Sequence, residues 1–380
     1  MNILKISAVD LSDQSGAVDH FVGVANGLSE VGARVTVVAC EKQSNYPQRL
    51  AAAVTAHKVN VAGKGVYASL AALSDKALEV LSSQPFDAVY LRTFPLDYLF
   101  LARHFEGLRV KAVCELNTKT GPEYRSKGKA LRGRVYEFFE GRTLASCRGW
   151  LPVTQEIQTY AAQISRTQKP FIIAKNGVDF SALGGPQARS SRERIRQQLG
   201  AGSDQLVMVM LGFNRPWHGY ERAVQMLSSM PKAQLWLIGS SGSGDEAAVE
   251  TVARAQGVAD RVKVLPWMKP GEAAPYVAAA DLGLSALAID LKDLGEAQPM
   301  KVATYLYMGL PVLTNYQDLR LDNSLPFVFH TPSNDPRVLA QVALELNPSD
   351  DLRRQAHRFA TDNLSWRSVG QETLDFLRQI

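Results

Sequence analysis

Short apolar runs alternate with helical stretches twice along this chain, and that alternation restricts its fold more than any other feature. Ile3–Val9 reads as a strand. Val18–Val31 has helical spacing, with Phe21, Val24, Leu28 and Val31 on one side, and Gly32 ends it. Arg34–Cys40 is a second strand, Leu70–Leu81 a helix, and Ala88–Leu91, Val110–Glu115, Gly149–Val153 and Phe171–Ala174 are further strands. A second series then begins. Leu206–Leu211, Ala233–Ile238, Val262–Leu265, Leu282–Ala286 and Pro311–Thr314 read as strands. The helices between them are Gly219–Met230, Asp245–Gln256, Gly271–Ala279 and Met300–Met308. Strands that alternate with helices build a parallel sheet covered on both faces, so the class is α/β.

A length of 380 residues suits two domains. The polar stretch 181–194 reads as the linker between them. This predicts an N-terminal Rossmann-like domain over 1–180, a C-terminal one over 181–365, and a last segment, 366–380, that returns to pack on the first. No apolar run approaches the roughly 20 residues that span a bilayer. The first strand is too brief for a signal peptide, and Lys5 interrupts it. Cys40, Cys114 and Cys147 are odd in number and scattered. They suggest neither a metal site nor a disulfide framework, which fits a reducing cytoplasm.

Charge is unevenly placed. Between Arg125 and Arg148 seven basic residues face two acidic ones, which equals the whole formal excess of +5. Leu131, Val135, Tyr136, Phe138, Phe139 and Leu144 interleave with them. The stretch 125–148 reads either as a face for an anionic membrane surface or an anionic acceptor, or as a solvated helix face. No recognition motif for nucleic acid accompanies the charge.

The segment from Gly295 to Val312 carries the most chemistry. A loop ends at Pro299, a helix follows, and Gly309-Leu310-Pro311 leads into a new strand. Proline suits a helix start because its missing N–H is not needed there. Free N–H groups in the first turn, from Met300 on, attract an anion, and Lys301 adds a positive charge. The junction is built to grip a phosphate. It resembles the donor-site helix of the retaining GT-B glycosyltransferases, in particular glycosyltransferase family 4. That pattern runs Glu, seven residues, Glu, with Pro-x-Lys inside and Gly-x-Pro-Val after it. Glu296 occupies the first glutamate, and Thr304 stands at the second.

Other segments resemble the same family in the same order, from about Ile3 to Trp366. Gly16, with Ser15 before it and His20 after, follows the first strand where relatives bring backbone close to a diphosphate. Glu115-Leu116-Asn117 resembles a Glu-x-Asn segment whose side chains face the acceptor or the transferred sugar. Lys175-Asn176-Gly177-Val178-Asp179 resembles an interdomain junction. Gly212 to Gly219 resembles a Trp-His-Gly variant of the diphosphate loop, with Asn214, Arg215 and His218 as donor contacts. Gly239 follows the next strand. Trp267 and Met268 end another, where relatives hold the base. Asp290, Lys292 and Asp293 look at first like an acidic metal motif, but GT-B enzymes neutralise the diphosphate with protein groups.

The resemblance implies a GT-B fold, two Rossmann-like domains facing each other across a cleft. It implies a cytoplasmic hexosyltransferase that moves a sugar from a nucleotide diphosphate sugar to a glycan or lipid-linked acceptor with retention, as in polysaccharide biosynthesis. The expected catalytic residues are Glu296, Glu115 and Asn117. Donor contacts are expected at Gly16, Asn214, Arg215, His218, Gly239, Trp267, Met268, Pro299, Met300, Lys301 and Thr304, with no metal or other cofactor. Two rivals remain: a GT-B binding protein impaired in turnover, which Thr304 favours, and a nucleotide-sugar 2-epimerase.

Overall fold

The computed structural model describes residues 1–380 apart from 14, 44–48, 108–109, 185–189, 213–214, 241–244 and 293–294. The chain divides into two compact units. One comprises Met1–Gly177 with Trp366–Ile380, the other Val178–Ser365. The division falls at Gly177/Val178, slightly before the expected 180/181.

In the first unit six parallel strands stand in the order β3-β2-β1-β4-β5-β6. They are β1 (Asn2–Asp10), β2 (Arg34–Glu41), β3 (Thr55–Asn60), β4 (Ala88–Arg92), β5 (Lys111–Leu116) and β6 (Gly149–Pro152). The helices are α1 (Gly16–Glu30), α2 (Val66–Ser83), α3 (Asp97–Phe100), α4 (Thr120–Ser126), α5 (Ala130–Ser146) and α6 (Gln155–Ser165). Side chains alternate across the strands. Val35, Val37 and Ala39 pack on one face with Phe21 and Leu28 of α1, while Val38 and Cys40 pack on the other with Leu73 and Ala77 of α2.

The second unit repeats the plan with a sheet ordered β12-β11-β10-β7-β8-β9. Its strands are β7 (Leu206–Leu211), β8 (Ala233–Ser240), β9 (Val262–Pro266), β10 (Leu282–Leu284), β11 (Val312–Thr314) and β12 (Val328–His330). Its helices are α7 (Arg192–Gln198), α8 (Tyr220–Met226), α9 (Asp245–Ala255), α10 (Pro270–Ala279), α11 (Met300–Tyr307), α12 (Pro336–Leu344) and α13 (Asp350–Asn363). Val207 and Val209 face one core cluster, and Met208 and Met210 face the other. The last helix, α14 (Trp366–Gln379), belongs to the first unit and lies on α1. Glycines at 23 and 27 allow this approach. A Cβ on Gly23 would stand 2.0 Å from the Trp366 ring, and one on Gly27 1.9 Å from the Trp366 carbonyl oxygen.

Four sequence expectations need correction. Phe171–Ala174 runs beside β6 without forming a regular strand: Phe171 bridges to Trp150, and the Ile172 and Ala174 N–H groups bond the Trp150 and Pro152 carbonyls at 3.3 and 2.8 Å, but Pro152 has no N–H to return. The helix expected over Gly219–Met230 is α8 followed by a 3₁₀ turn at Leu227–Ser229. β3 was not anticipated, because its sequence is largely polar and it lies half-exposed at the sheet edge. Cys114 and Cys147 are joined as a disulfide, with Cα atoms 6.4 Å apart. The end of α5 lies against β5 and brings together two buried cysteines that are 33 residues apart. Cysteine usage therefore gives no argument for a reducing compartment. No helix among the described residues is long and apolar enough to cross a membrane.

Candidate functional site

Open α/β sheets place ligands at the carboxyl ends of their strands, beside the point where strand order reverses. In the second unit that point lies between β7 and β10. The chain leaves β7 at Gly212, whose φ is +112°, and Gly239, the last residue but one of β8, has a φ of +129°. Only glycine holds such angles without strain. The two loops touch: a Cβ on Gly239 would come within 2.5 Å of the Gly212 carbonyl oxygen. Tyrosines pin this junction. Tyr305 of α11 accepts from the Leu211 N–H at 2.7 Å and donates to the Leu284 carbonyl at 3.2 Å, and the Tyr220 hydroxyl donates to the Gly212 carbonyl.

Lys301 points into the space beside Gly212. A Cβ on that glycine would stand 3.2 Å from His218 Cε1 and 3.5 Å from Lys301 Nζ. The Lys301 ammonium is buried without a hydrogen-bond partner among the described residues, and burial pulls its pKa down from 10.5 to about 7. A buried ammonium without an anion is costly, and such a group waits for a counter-charge. Pro299 is the N-cap residue of α11, with Met300 the first helical residue.

A brace behind the helix fixes its start. Arg320 Nη2 donates to the Pro299 carbonyl at 3.0 Å, and Arg320 is itself clamped by Asp318 at 2.9 and 2.6 Å. Glu296 is half-buried in the loop before the helix. That loop is stitched to Gln317 by Ala297 N–H to Gln317 carbonyl at 3.1 Å and Gln317 N–H to Gly295 carbonyl at 2.9 Å. Thr304 sits one turn into α11, its hydroxyl 3.5 Å from the Met300 carbonyl.

The remaining donor candidates lie around this junction with less contact. Arg215 is exposed ahead of the 3₁₀ turn Pro216–His218, and Asn214 lies outside the described residues. Trp267 is 46% exposed, and its N–H bonds the Ser240 carbonyl at 2.9 Å just beyond Gly239. Met268 packs partly into the core. Asp290 pairs with Arg222 at 3.0 Å, and Asp293 lies outside the described residues.

The first unit gathers a different group where its own strand order reverses, between β1 and β4. Glu115 is the hub. It accepts from Arg92 at 2.6 Å, Tyr90 at 2.8 Å and Asn117 at 2.8 Å, and faces His20 at 3.2 Å and Lys5 at 3.6 Å. Burial would raise its pKa, but His20, Arg92 and Lys5 together hold it well below the carboxylate range. Lys5 is pulled down to about 7 by burial, against the attraction of Glu115. His20 also meets Asn176 Oδ1 through Nδ1 at 2.6 Å and sets its ring against Trp366.

The expectation that Glu115 faces a substrate is corrected here. Its carboxylate is fully buried and surrounded by protein donors, so it orients Arg92, Asn117 and His20 instead. Asn117 is exposed, and its amide is the outward end of the cluster. Gly16 opens α1 with nothing within 4 Å of its Cβ position. Sequence reading passed over Lys5, Tyr90 and Arg92. The available signal was a lysine inside an otherwise apolar strand, since a charge buried on both faces of a sheet calls for a partner.

Comparison with known proteins bears on the family and the fold. The description "Glycosyl transferase 4-like domain" fits residues 15–177, and "Glycosyl transferases group 1" fits residues 205–346. No curated protein matches the sequence. Among solved structures, sucrose-phosphate synthase from Thermosynechococcus elongatus is similar at 13% identity and TM-score 0.76, over 100% of this chain and 98% of that one. Anabaena HepE in complex with UDP is similar at 18% and 0.74, over all of both chains. WaaG, a glycosyltransferase involved in lipopolysaccharide biosynthesis, is similar at 19% and 0.61, over 99% of each. The chain belongs to the group 1 glycosyltransferases and has the two Rossmann-like domains of the GT-B fold. It is a sugar-transferring enzyme.

Proposed function

We propose that the second unit binds a nucleotide diphosphate sugar and that the first binds a glycan or lipid-linked acceptor, with the anomeric configuration retained. The observation that carries this reading is Lys301, a buried ammonium without a hydrogen-bond partner among the described residues, beside Gly212 and at the start of α11. A diphosphate there would receive the lysine charge, the exposed Arg215 and the amides of the helix start. Trp267, exposed beyond Gly239, would cover the base. Glu296 would hydrogen-bond the sugar hydroxyls.

Leaving-group stabilisation then drives the reaction. The bond from the anomeric carbon to the phosphate oxygen breaks as the acceptor oxygen bonds that carbon. The acceptor proton passes to the departing phosphate oxygen. No metal is required, because protein cations and helix amides take up the charge. A uridine donor is the first to try, since HepE was crystallised with UDP and with UDP-glucose. The setting this implies is the cytoplasmic face of a membrane.

A second reading, binding without turnover, is favoured by Thr304. Its single hydroxyl cannot hold both ribose hydroxyls as a carboxylate can. Thermal shift with nucleotides and nucleotide sugars, followed by release of nucleotide diphosphate in the presence of acceptor lipids, tests both. Stabilisation by UDP that is lost in Lys301→Met supports the donor site, and stabilisation without release supports the second reading. No stabilisation by any nucleotide overturns both.

A further inference from the structure

The basic stretch is a built surface. In the first unit Arg125 is paired with Glu137 at 2.8 Å, and Lys127 with Glu123 at 2.6 Å, so these two cations are partly spent within the protein. Lys129, Arg132, Arg134 and Arg142 stay exposed along α5. Between them runs an apolar ridge: Leu131, Val135 and Phe138, exposed by 77%, 44% and 56%. Spacings of four and three residues put these side chains on one helix face. The first turn of α2 adds Val66 and Tyr67, also exposed. Leu70 of α2 and Tyr136 of α5 share one small core cluster with Leu96, which sets that turn beside α5. Five of the nine large apolar residues exposed among the described residues thus lie on these two helices.

The guanidinium groups are mounted on rings. Arg142 lies 5.1 Å from the centroid of Phe138 and 5.7 Å from that of Tyr98. Arg132 lies over Tyr136 and Tyr124, and its Nε donates to the Tyr136 hydroxyl at 2.9 Å. Such stacking holds cations at the level of the apolar ridge. A folded soluble protein gains nothing from exposing three apolar residues in line between cations. An interface of hydrocarbon below and anionic headgroups above fits both features at once.

We propose that α5, with the first turn of α2, is a docking face for an anionic lipid bilayer. Leu131, Val135 and Phe138 enter the acyl boundary, and Lys129, Arg132, Arg134 and Arg142 meet the headgroups. This deepens the transferase reading by placing the enzyme at a surface that holds lipid-linked acceptors, but the docking itself does not rest on it.

The test is co-sedimentation with phosphatidylglycerol-rich and pure phosphatidylcholine vesicles, at low and high salt, with UDP thermal shift measured in parallel. The native chain should bind the anionic vesicles, release them in high salt and bind the neutral ones far more weakly. Each basic residue at such a surface is worth about fivefold in partition, so K129E/R134E should lose about a hundredfold or more. The pair leaves the Arg132–Tyr136 bond in place. L131S/F138S should lose about tenfold or more while keeping the charge. Both variants should keep the native melting temperature. No binding to anionic vesicles at low salt would overturn the proposal, as would binding unchanged in both variants. So would dimerisation that L131S/F138S abolishes without any vesicle binding, or capture of a soluble anionic glycan but not of vesicles. The UDP shift reports separately on the donor site, so either idea can fail alone.

Discussion

Replacing Lys301 with methionine removes its charge and keeps most of its length. Burial lowers this ammonium to about 7 in the free protein, against an ordinary 10.5. Near pH 8 it is mostly neutral, and a diphosphate arriving beside it restores the charged form, so binding takes up a proton. The sign follows from linkage. Below about pH 7 the lysine is charged in both states, so its contribution to affinity is full and does not vary with pH. Above that, affinity falls about tenfold per pH unit until the bound-state value is reached. The terminal phosphate completes its own ionisation near pH 6, so the slope above about pH 7 belongs to the lysine. If the bound lysine recovers its ordinary value, the full effect is ~5 kcal/mol at about 1.36 kcal/mol per pH unit. Isothermal titration with UDP from about pH 6.5 to about pH 9, in two buffers of different ionisation enthalpy, measures affinity and proton uptake together. Lys301→Met should lose the slope and, at the acid end, about 1.5–3 kcal/mol of binding. A slope that persists in Lys301→Met, or a native protein that takes up no proton, would refute the reasoning.

Three further outcomes follow from the buried charges and from α11. Glu140 is raised by burial from 4.5 to about 7 and accepts from Thr120 at 2.9 Å. Its folded value exceeds its unfolded one, so its contribution is present below about pH 4.5 and lost as pH rises through about 7. Glu140→Gln should flatten the pH dependence of urea unfolding by about 3 kcal/mol between those limits, and an unchanged dependence would discount the group. Glu115→Gln strands Lys5 and Arg92 in the interior and should destabilise the first unit by about 3–5 kcal/mol; a loss under about 1 kcal/mol would show the cluster to be dispensable. Thr304→Glu should keep the fold and favour UDP over its 2′-deoxy analogue, whereas an unfolded protein would show that α11 cannot accept a carboxylate there.

The double alternation was legible because strands buried on both faces read as continuous apolar runs. Leu206–Leu211 matches β7 residue for residue. β3 escaped notice because an edge strand half in water carries Thr55, His57, Lys58 and Asn60. α13 escaped because its exposed face is charged and its buried face is built on Ala356 and Ala360. At the site, Gly212, Gly239 and Lys301 were readable from their places after strands and at a helix start. The hub at Glu115 was readable only as a carboxylate ending a strand. Its partners Lys5, Tyr90 and Arg92 come from two other strands, and no local spacing announces a contact between residues 5 and 115. Partners distant in sequence hid the disulfide as well, and they hid the pairing of Arg125 with Glu137 that narrows the basic stretch to its α5 face.

Sugar transfer itself is tested most directly by proton NMR of the purified protein mixed with UDP-sugars and acceptor lipids, with Glu296→Ala run alongside. The native protein should release UDP and give a new glycosidic signal with the anomeric configuration of the donor. Glu296→Ala should bind UDP as the native protein does and lose most of that signal. A nucleotide sugar that binds tightly and is never cleaved, or a product of inverted configuration, would contradict the proposed reaction.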